Sequence, residues 1–178
     1  MTFRINSLFS SLCYRIGDIV IDPGDVWEGF IKVDSVLLTH AHFDHIYGLN
    51  ELLTLNPDAK VYTNEFGRYM LLDDKLNMSR YNETPFIFEY PQNIVLVGDG
   101  EMIKFGDGMN VKSIFTPGHN ESCITWVIGD KIFTGDSYIP GVKTITNLPG
   151  GNKQQALQSE TLIKNLVCDR RIYPGHKV

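Results

Sequence analysis

The chain has 178 residues, of which 43% are hydrophobic and 21% charged, and its net charge is −5. A chain of this make-up is globular and folds as one domain over residues 1–178, burying roughly 70% of its unfolded surface. The composition excludes a disordered or fibrous chain, and the acidic balance argues against a partner with a phosphate backbone.

The elements follow in chain order. Residues 8–16 and 19–22 predict a hairpin about Gly17-Asp18 that runs into a turn at Pro23-Gly24. Trp27 and Phe30 follow as core aromatics or as a wall for a nearby site. Residues 35–39 predict a short buried strand, and 45–55 a helix stopped before Pro57. Residues 59–63 read as a strand and 65–74 as a helix with Asn64 as its cap. Residues 75–93 are polar and irregular. The second half predicts strands at 94–98, 101–105, 110–116, 123–129 and 131–135. Gly98-Asp99-Gly100 and Gly106-Asp107-Gly108 join strand to strand, so they read as hairpin turns rather than phosphate loops. Residues 151–167 form a helix, with Asn152 and Gln155 spaced as a capping box. Residues 170–174 are the last strand. The pattern predicts an α/β fold of layers, sheets inside and helices outside.

No stretch reaches 18 apolar residues, so no membrane span is expected. The N-terminus has no uninterrupted apolar run and no small-residue cleavage site, so it does not read as a signal peptide. Three cysteines, at 13, 123 and 168, fit a reducing cytoplasm better than a disulfide framework.

The five histidines carry the functional signal. His40, His42, Asp44 and His45 form H-x-H-x-D-H directly after a strand. Side chains two apart on an extended segment point the same way, so His40 and His42 can grip one ion. Asp44 and His45, past the bend, can face a second. His119 and His176 each follow a strand and a Pro-Gly pair, which turns the chain sharply enough to aim the next side chain inward. Asp136 follows Thr-Gly at another strand exit, and a carboxylate can bridge two cations. Imidazoles with two carboxylates suit zinc, or iron or manganese, better than calcium or magnesium.

This order of motifs resembles the metallo-β-lactamase-fold hydrolases, and most of all their small glyoxalase II-like (hydroxyacylglutathione hydrolase-like) branch. The resemblance spans nearly the whole chain and includes Ile-Asp-Pro-Gly (21–24), Thr-Pro-Gly-His (116–119), Thr-Gly-Asp-Ser (134–137), Leu-Pro-Gly-Gly (148–151) and Pro-Gly-His (174–176). It implies a four-layer αββα sandwich of mixed sheets with a dinuclear site at one edge. Carried over, His40, His42 and His119 hold the first metal, Asp44, His45 and His176 the second, and Asp136 bridges them. Asp44 and Asp136 are then the catalytic carboxylates. A hydroxide shared by the two ions attacks the carbonyl of a small ester, thioester or lactone, and Asp44 orients it.

Asp136 stands where the zinc β-lactamases usually have Cys, which argues against antibiotic hydrolysis. The family's nucleases share this ligand set but are larger and built for polyanions. Its persulfide dioxygenases, with a single iron, are one alternative reading, and a phosphodiesterase- or nuclease-type member is the other. Its glutathione thioesterases carry a C-terminal helical domain, whereas this sequence runs two residues past His176. The expected partner is a small-molecule substrate, not a nucleic acid or a membrane. Three further residues have two readings each. Asp22 fixes the tautomer of a ligand histidine or caps its turn. Tyr138 lies near the bridging Asp, as in the family's lactonases, or is a packed aromatic. Lys143 meets an anionic substrate group or is simply solvated.

Overall fold

Alternation along three short strands sets the layers. In β2 (Leu12–Ile16), β3 (Ile19–Ile21) and β4 (Ser35–Leu37), successive side chains enter different cores. Cys13, Val20, Val36 and Leu38 join Leu49, Leu52, Leu53 and Leu71 in one core. Leu12, Tyr14, Ile19, Ile21 and Leu37 face the other, against Val111, Trp126 and Phe133. Strands apolar on both faces are buried on both faces, and here one face meets helices and the other a second sheet.

The computed structural model describes residues 1–27, 30–106, 108–168 and 170–177. One sheet has six strands in the order β1 (Thr2–Ile5), β2, β3, β4, β5 (Lys60–Thr63), β6 (Ile94–Leu96). Its first three strands are antiparallel and the rest run parallel. The second sheet has five, in the order β11 (Arg171–Pro174), β10 (Lys131–Gly135), β9 (Ile124–Ile128), β8 (Asn110–Phe115), β7 (Met102–Lys104). It is antiparallel except for the parallel pair β10–β11. Helices α2 (Leu49–Leu55) and α3 (Glu65–Leu71) cover the first sheet. Helix α4 (Lys153–Val167) lies outside the second, where Ser159 Oγ donates to Pro117 O at 2.6 Å. The result is the expected αββα order with mixed sheets. Trp126 ties the sheets together, since its indole N–H donates to Leu38 O at 2.9 Å.

Several local expectations hold. Asn64 caps α3 by accepting from Gly67 N at 2.8 Å, and Asn152 caps α4 by accepting from Gln154 N and Gln155 N. Others change. The capping box is one-sided, because Asn152 N donates to Gly118 O at 2.8 Å and not to the Gln155 side chain. Strand β1 was not expected. It is an exposed edge strand with no buried face to leave a pattern. The helix expected over 45–55 is two pieces, α1 (Phe43–Ile46) and α2, parted at Tyr47-Gly48. A Cβ on Gly48 would lie 2.6 Å from the backbone carbon of Asp25, so the chain passes too closely there for a continuous helix with a side chain. Gly98-Asp99-Gly100 links β6 to β7 across different sheets, so it is not a hairpin turn. The turn at 106–108 does close the β7–β8 hairpin, although its Asp107 lies outside the described residues. Among the described residues, no helix is long and apolar enough to cross a membrane.

Candidate metal centre

The exit of β4 is fixed by hydrogen bonds to its backbone. Ile124 N donates to Thr39 O at 2.7 Å, and Ala41 N donates to Ser122 Oγ at 3.1 Å. Residues 39–42 are thereby held between the sheets with His42 extended (φ −72°, ψ 146°). His40 and His42 then project to one side, and Asp44 and His45 follow on the turn of α1. Asp136 follows β10, His119 follows β8 and His176 follows β11.

All seven predicted residues meet at one place. His40, His42 and His119 form one group whose ligand atoms lie within 4.8 Å of one another, and Asp44, His45 and His176 form another. His119 Nε2 is 3.0 Å from His42 Nδ1. His176 Nε2 is 3.4 Å from both His45 Nε2 and Asp44 Oδ2. Asp136 lies between the groups, 3.6 Å from His119 Nε2 and 3.4 Å from His176 Nε2.

The expected Pro-Gly turn before His176 is not a turn. Gly175 N continues the ladder to Gly135 O at 2.9 Å, and Leu12 N donates to Gly175 O at 2.7 Å. Glycine is required there for closeness. A Cβ on Gly175 would lie 2.1 Å from Asp136 Oδ1 and 3.0 Å from His45 Cε1.

The partners of each ring's far nitrogen decide which nitrogen faces the centre. His119 Nδ1 donates to Ile145 O at 2.9 Å and His176 Nδ1 to Phe9 O at 3.0 Å, so both must carry the proton at Nδ1. His45 Nδ1 donates to Asp22 Oδ2 at 3.0 Å. Thr39 Oγ1 gives its one proton to Asp22 Oδ2 at 2.5 Å, so it can only accept from His40 Nδ1 at 3.2 Å. In these four rings Nδ1 is taken by its partner, and Nε2 is the nitrogen left to face the centre, as metal ligands require. His42 is turned the other way, with Nε2 3.3 Å from Asn120 Nδ2 and Nδ1 toward the centre. Asp22 is therefore the tautomer-fixing residue of the two readings. It adopts a positive φ of 52° and also accepts from Thr39 N at 2.7 Å. The grouping of Asp22 with His40 and His45 is accounted for by these hydrogen bonds.

Two buried atoms have no hydrogen-bond partner at the centre: His40 Nε2 and Asp136 Oδ1. Each such orphan costs about 1–3 kcal/mol unless something binds it. With four further nitrogens and the Asp44 carboxylate aimed at the same place, the residues fit divalent metal.

Burial and then the neighbouring His45 push His40 well below the usual imidazole range, and burial and then His119 take His42 down to about 3. His119 is also lowered, chiefly by burial. The other group behaves oppositely. Burial opposes charge on His45, but Asp44 and then Asp22 outweigh it and lift it to about 9. Burial likewise opposes charge on His176, yet hydrogen bonds to Asp136 and Asp44 lift it to about 10. Burial opposes ionisation of Asp44 and Asp136, but the facing imidazoles hold both below the usual carboxylate range.

A cavity of about 260 Å³ opens beside the centre, lined by His119, Asp136 and His176 and by Val142, Lys143 and Lys177. Lys143 thus lines the cavity beside the centre and is exposed. Tyr138 does not line this cavity; its ring lies under Lys164 Nζ at 5.6 Å, which makes it a packed aromatic. Trp27 and Phe30 stack at 4.8 Å within the first core and do not wall the site. Sequence reasoning missed Thr39, Asn120 and the carbonyls of Phe9 and Ile145, since none lies in a metal-binding motif.

Residues 8–176 match the model of the metallo-beta-lactamase superfamily. The chain belongs to that superfamily. It is 33% identical over 151 residues to the probable metallo-hydrolase YqgX of Bacillus subtilis (strain 168), covering 79% of this chain and 70% of that protein. It is 30% identical over 167 residues to a hydroxyacylglutathione hydrolase of Francisella philomiragia. That match covers 89% of this chain but 58% of the enzyme, so the chain spans little more than half its length. The crystal structure of TTHA1623 in a di-iron-bound form superposes with a TM-score of 0.83 at 22% identity, over 100% of this chain and 93% of that one. A superfamily metallo-hydrolase with two groups of side chains that could hold metal is what the sequence and the geometry share.

Proposed function

We propose that this chain is a two-metal hydrolase, a single domain over residues 1–178, that cleaves a small ester, thioester or lactone. The observation that carries the reading is the aim of the five imidazoles: each points one nitrogen at the centre while a protein partner faces the other. His40, His42 and His119 would hold one ion, Asp44, His45 and His176 the other, and Asp136 would contribute an oxygen to each. When bound, such ions lower the pKa of water and polarise a carbonyl. The donor set favours zinc, with iron or manganese accepted by the same ligands. The complete second group supports two ions over the single iron of a persulfide dioxygenase.

The chain's own residues supply the rest. Asp44, held ionised, accepts a hydrogen bond from the attacking water and so orients it. Ile139, Val142 and Ile145 line the cavity with apolar surface that limits bulk water. Lys143 and Lys177 offer positive charge to an anionic end of the substrate. The cavity's size suits a small molecule and not a nucleic acid or a membrane. Three free cysteines support a reducing, cytoplasmic setting.

The test is elemental analysis of zinc-supplied protein together with hydrolysis of a panel of thioester, lactone, phosphodiester and persulfide substrates. Two metals per chain with thioester or lactone turnover is expected. Protein holding no metal, or one iron with persulfide oxidation, would overturn the reading.

A further inference from the structure

The loop between β1 and β2 is closed on itself by buried polar groups. Asn6 N donates to Ser11 O and Asn6 Nδ2 to Ser11 Oγ, both at 2.8 Å. Asp25 anchors the loop from outside, since its carboxylate accepts from Ser7 Oγ at 2.9 Å and its N–H donates to Asn6 Oδ1 at 3.2 Å. Asn6 and Ser11 are buried, whereas the Phe9 ring is 72% exposed. Phe9 and Ser10 are consecutive non-glycine residues at positive φ, 50° and 56°. Such conformations persist only where the surroundings enforce them.

What the loop grips is one half of the centre. Ser11 Oγ donates to Asp44 O at 2.7 Å. Phe9 O accepts from His176 Nδ1 at 3.0 Å. Ser11 and His176 form an antiparallel bridge, continued by Leu12 N to Gly175 O at 2.7 Å. Among the described residues, no hydrogen bond runs from this loop to His40, His42 or His119. His176 lies beyond the last residue of β11, past its ladder with β10. The loop ties it in place, and the two left-handed residues turn the Phe9 carbonyl toward the imidazole.

We propose that the Asn6–Ser11 loop is the positioning element of the second metal position: by holding Asp44 and His176 it sets the affinity for that ion and leaves the first unaffected. This rests on the two-ion reading above. Ser11 is the positioning side chain, and Phe9 acts through its backbone.

Chelator-competition titration of zinc into the full chain tests it, with cobalt absorption as a second readout. Ser11→Ala removes the tie to the Asp44 carbonyl. Phe9→Pro forbids the positive φ, while Phe9→Gly permits it and keeps the carbonyl. Ser11→Ala and Phe9→Pro should weaken the second zinc about 10–100-fold, the usual cost of losing a group that orients a ligand. The first zinc should stay as tight as in the parent, which also shows that the fold is intact. The spectrum of the second cobalt equivalent should change while that of the first does not. Phe9→Gly should keep both ions. Two unchanged affinities in Ser11→Ala, or equal weakening of both, would overturn the proposal. Should Phe9→Pro fail to fold, Ser11→Ala and Phe9→Gly decide between them. A parent protein that never takes a second ion would instead overturn the two-ion reading itself.

Discussion

His40, His42 and His119 hang from strand exits pinned between the two sheets, whereas Asp44, His45 and His176 come from a four-residue helix and the segment after β11. The first group is buried throughout and has no carboxylate of its own. Its imidazoles are driven neutral by burial, which is the ligating form. The second group mixes imidazoles with Asp44, and the charges stabilise each other in pairs. One half is thus prepared by packing and the other by electrostatics plus a clasp. The comparison teaches that the halves can be broken separately, and that a residue serving both should do the most damage.

Asp136 is that residue. Asp136→Ala removes the anion between two positively charged positions and leaves His45 and His176 facing each other with less screening. A loss on the order of a thousand-fold in kcat/KM is expected, equivalent to several kcal/mol of transition-state stabilisation. Metal content should fall with it while circular dichroism stays unchanged. Unaltered turnover would remove Asp136 from the centre.

Deleting residues 176–178 attacks the second half alone. The expected metal content falls from two per chain to one, because the first group keeps its three imidazoles. A count that stays at two would show that His176 is not a ligand. A count of zero would show that the halves are not separable.

Asp22 lies beneath both halves. It reaches His45 directly and His40 through Thr39. Asp22→Asn turns an amide N–H₂ toward donors that need acceptors, so both tautomers are released. The expected cost is about 10–100-fold in affinity for each ion, read by chelator competition. A loss confined to one ion would show that the Thr39 relay carries nothing.

Much of the centre was legible because its residues are local signals. H-x-H-x-D-H sits on consecutive residues, and His119, Asp136 and His176 each follow a recognisable strand. The layers were legible because strands apolar on both faces must be covered on both. What could not be read is what holds the ligands. Ser11 and Asp44 are 33 residues apart, and Phe9 and His176 are 167 apart. Neither pair leaves a periodic or compositional trace. Strand β1 was missed because its residues are all exposed, and the break at Gly48 because it depends on how closely Asp25 passes. Asp22 was half legible: its place in Ile-Asp-Pro-Gly suggested a supporting role, but only the fold shows that it serves two histidines.

Protons sharpen the comparison further. In protein stripped with chelator, His40 and His42 are neutral at pH 7, while His45 and His176, lifted to about 9 and about 10, are protonated. Because these two are raised above the unfolded value of about 6.5, their ion pairs stabilise the stripped fold fully below that pH. The contribution is lost as pH rises through 9 to 10. An ion entering the second group must displace those protons, and one entering the first displaces none. Calorimetry in buffers of different ionisation enthalpy should therefore show proton release for one zinc only. Affinity for that zinc should rise by up to about a hundredfold per pH unit, tenfold for each of the two protons released, from pH 7 toward pH 9. Equal release at both steps would erase the electrostatic distinction.

The smallest effect concerns the cavity rather than the ions. Lys143 and Lys177 are both exposed, both line the cavity, and approach it from different segments of the chain. Asp136 is the cavity's acidic residue, and it is turned to the imidazoles. The remaining lining offers apolar surface beside these two cationic groups. Exposed charge pairs are worth only about 0.2–1 kcal/mol each, because water and salt screen them. Lys143→Ala should then raise KM for a carboxylate-bearing thioester by about two- to fivefold, with kcat and metal content unchanged. The same substitution should leave the KM of an uncharged thioester where it was, and added salt should shrink the difference. A KM that rises equally for charged and uncharged substrates would mean that Lys143 shapes the wall by its aliphatic stem.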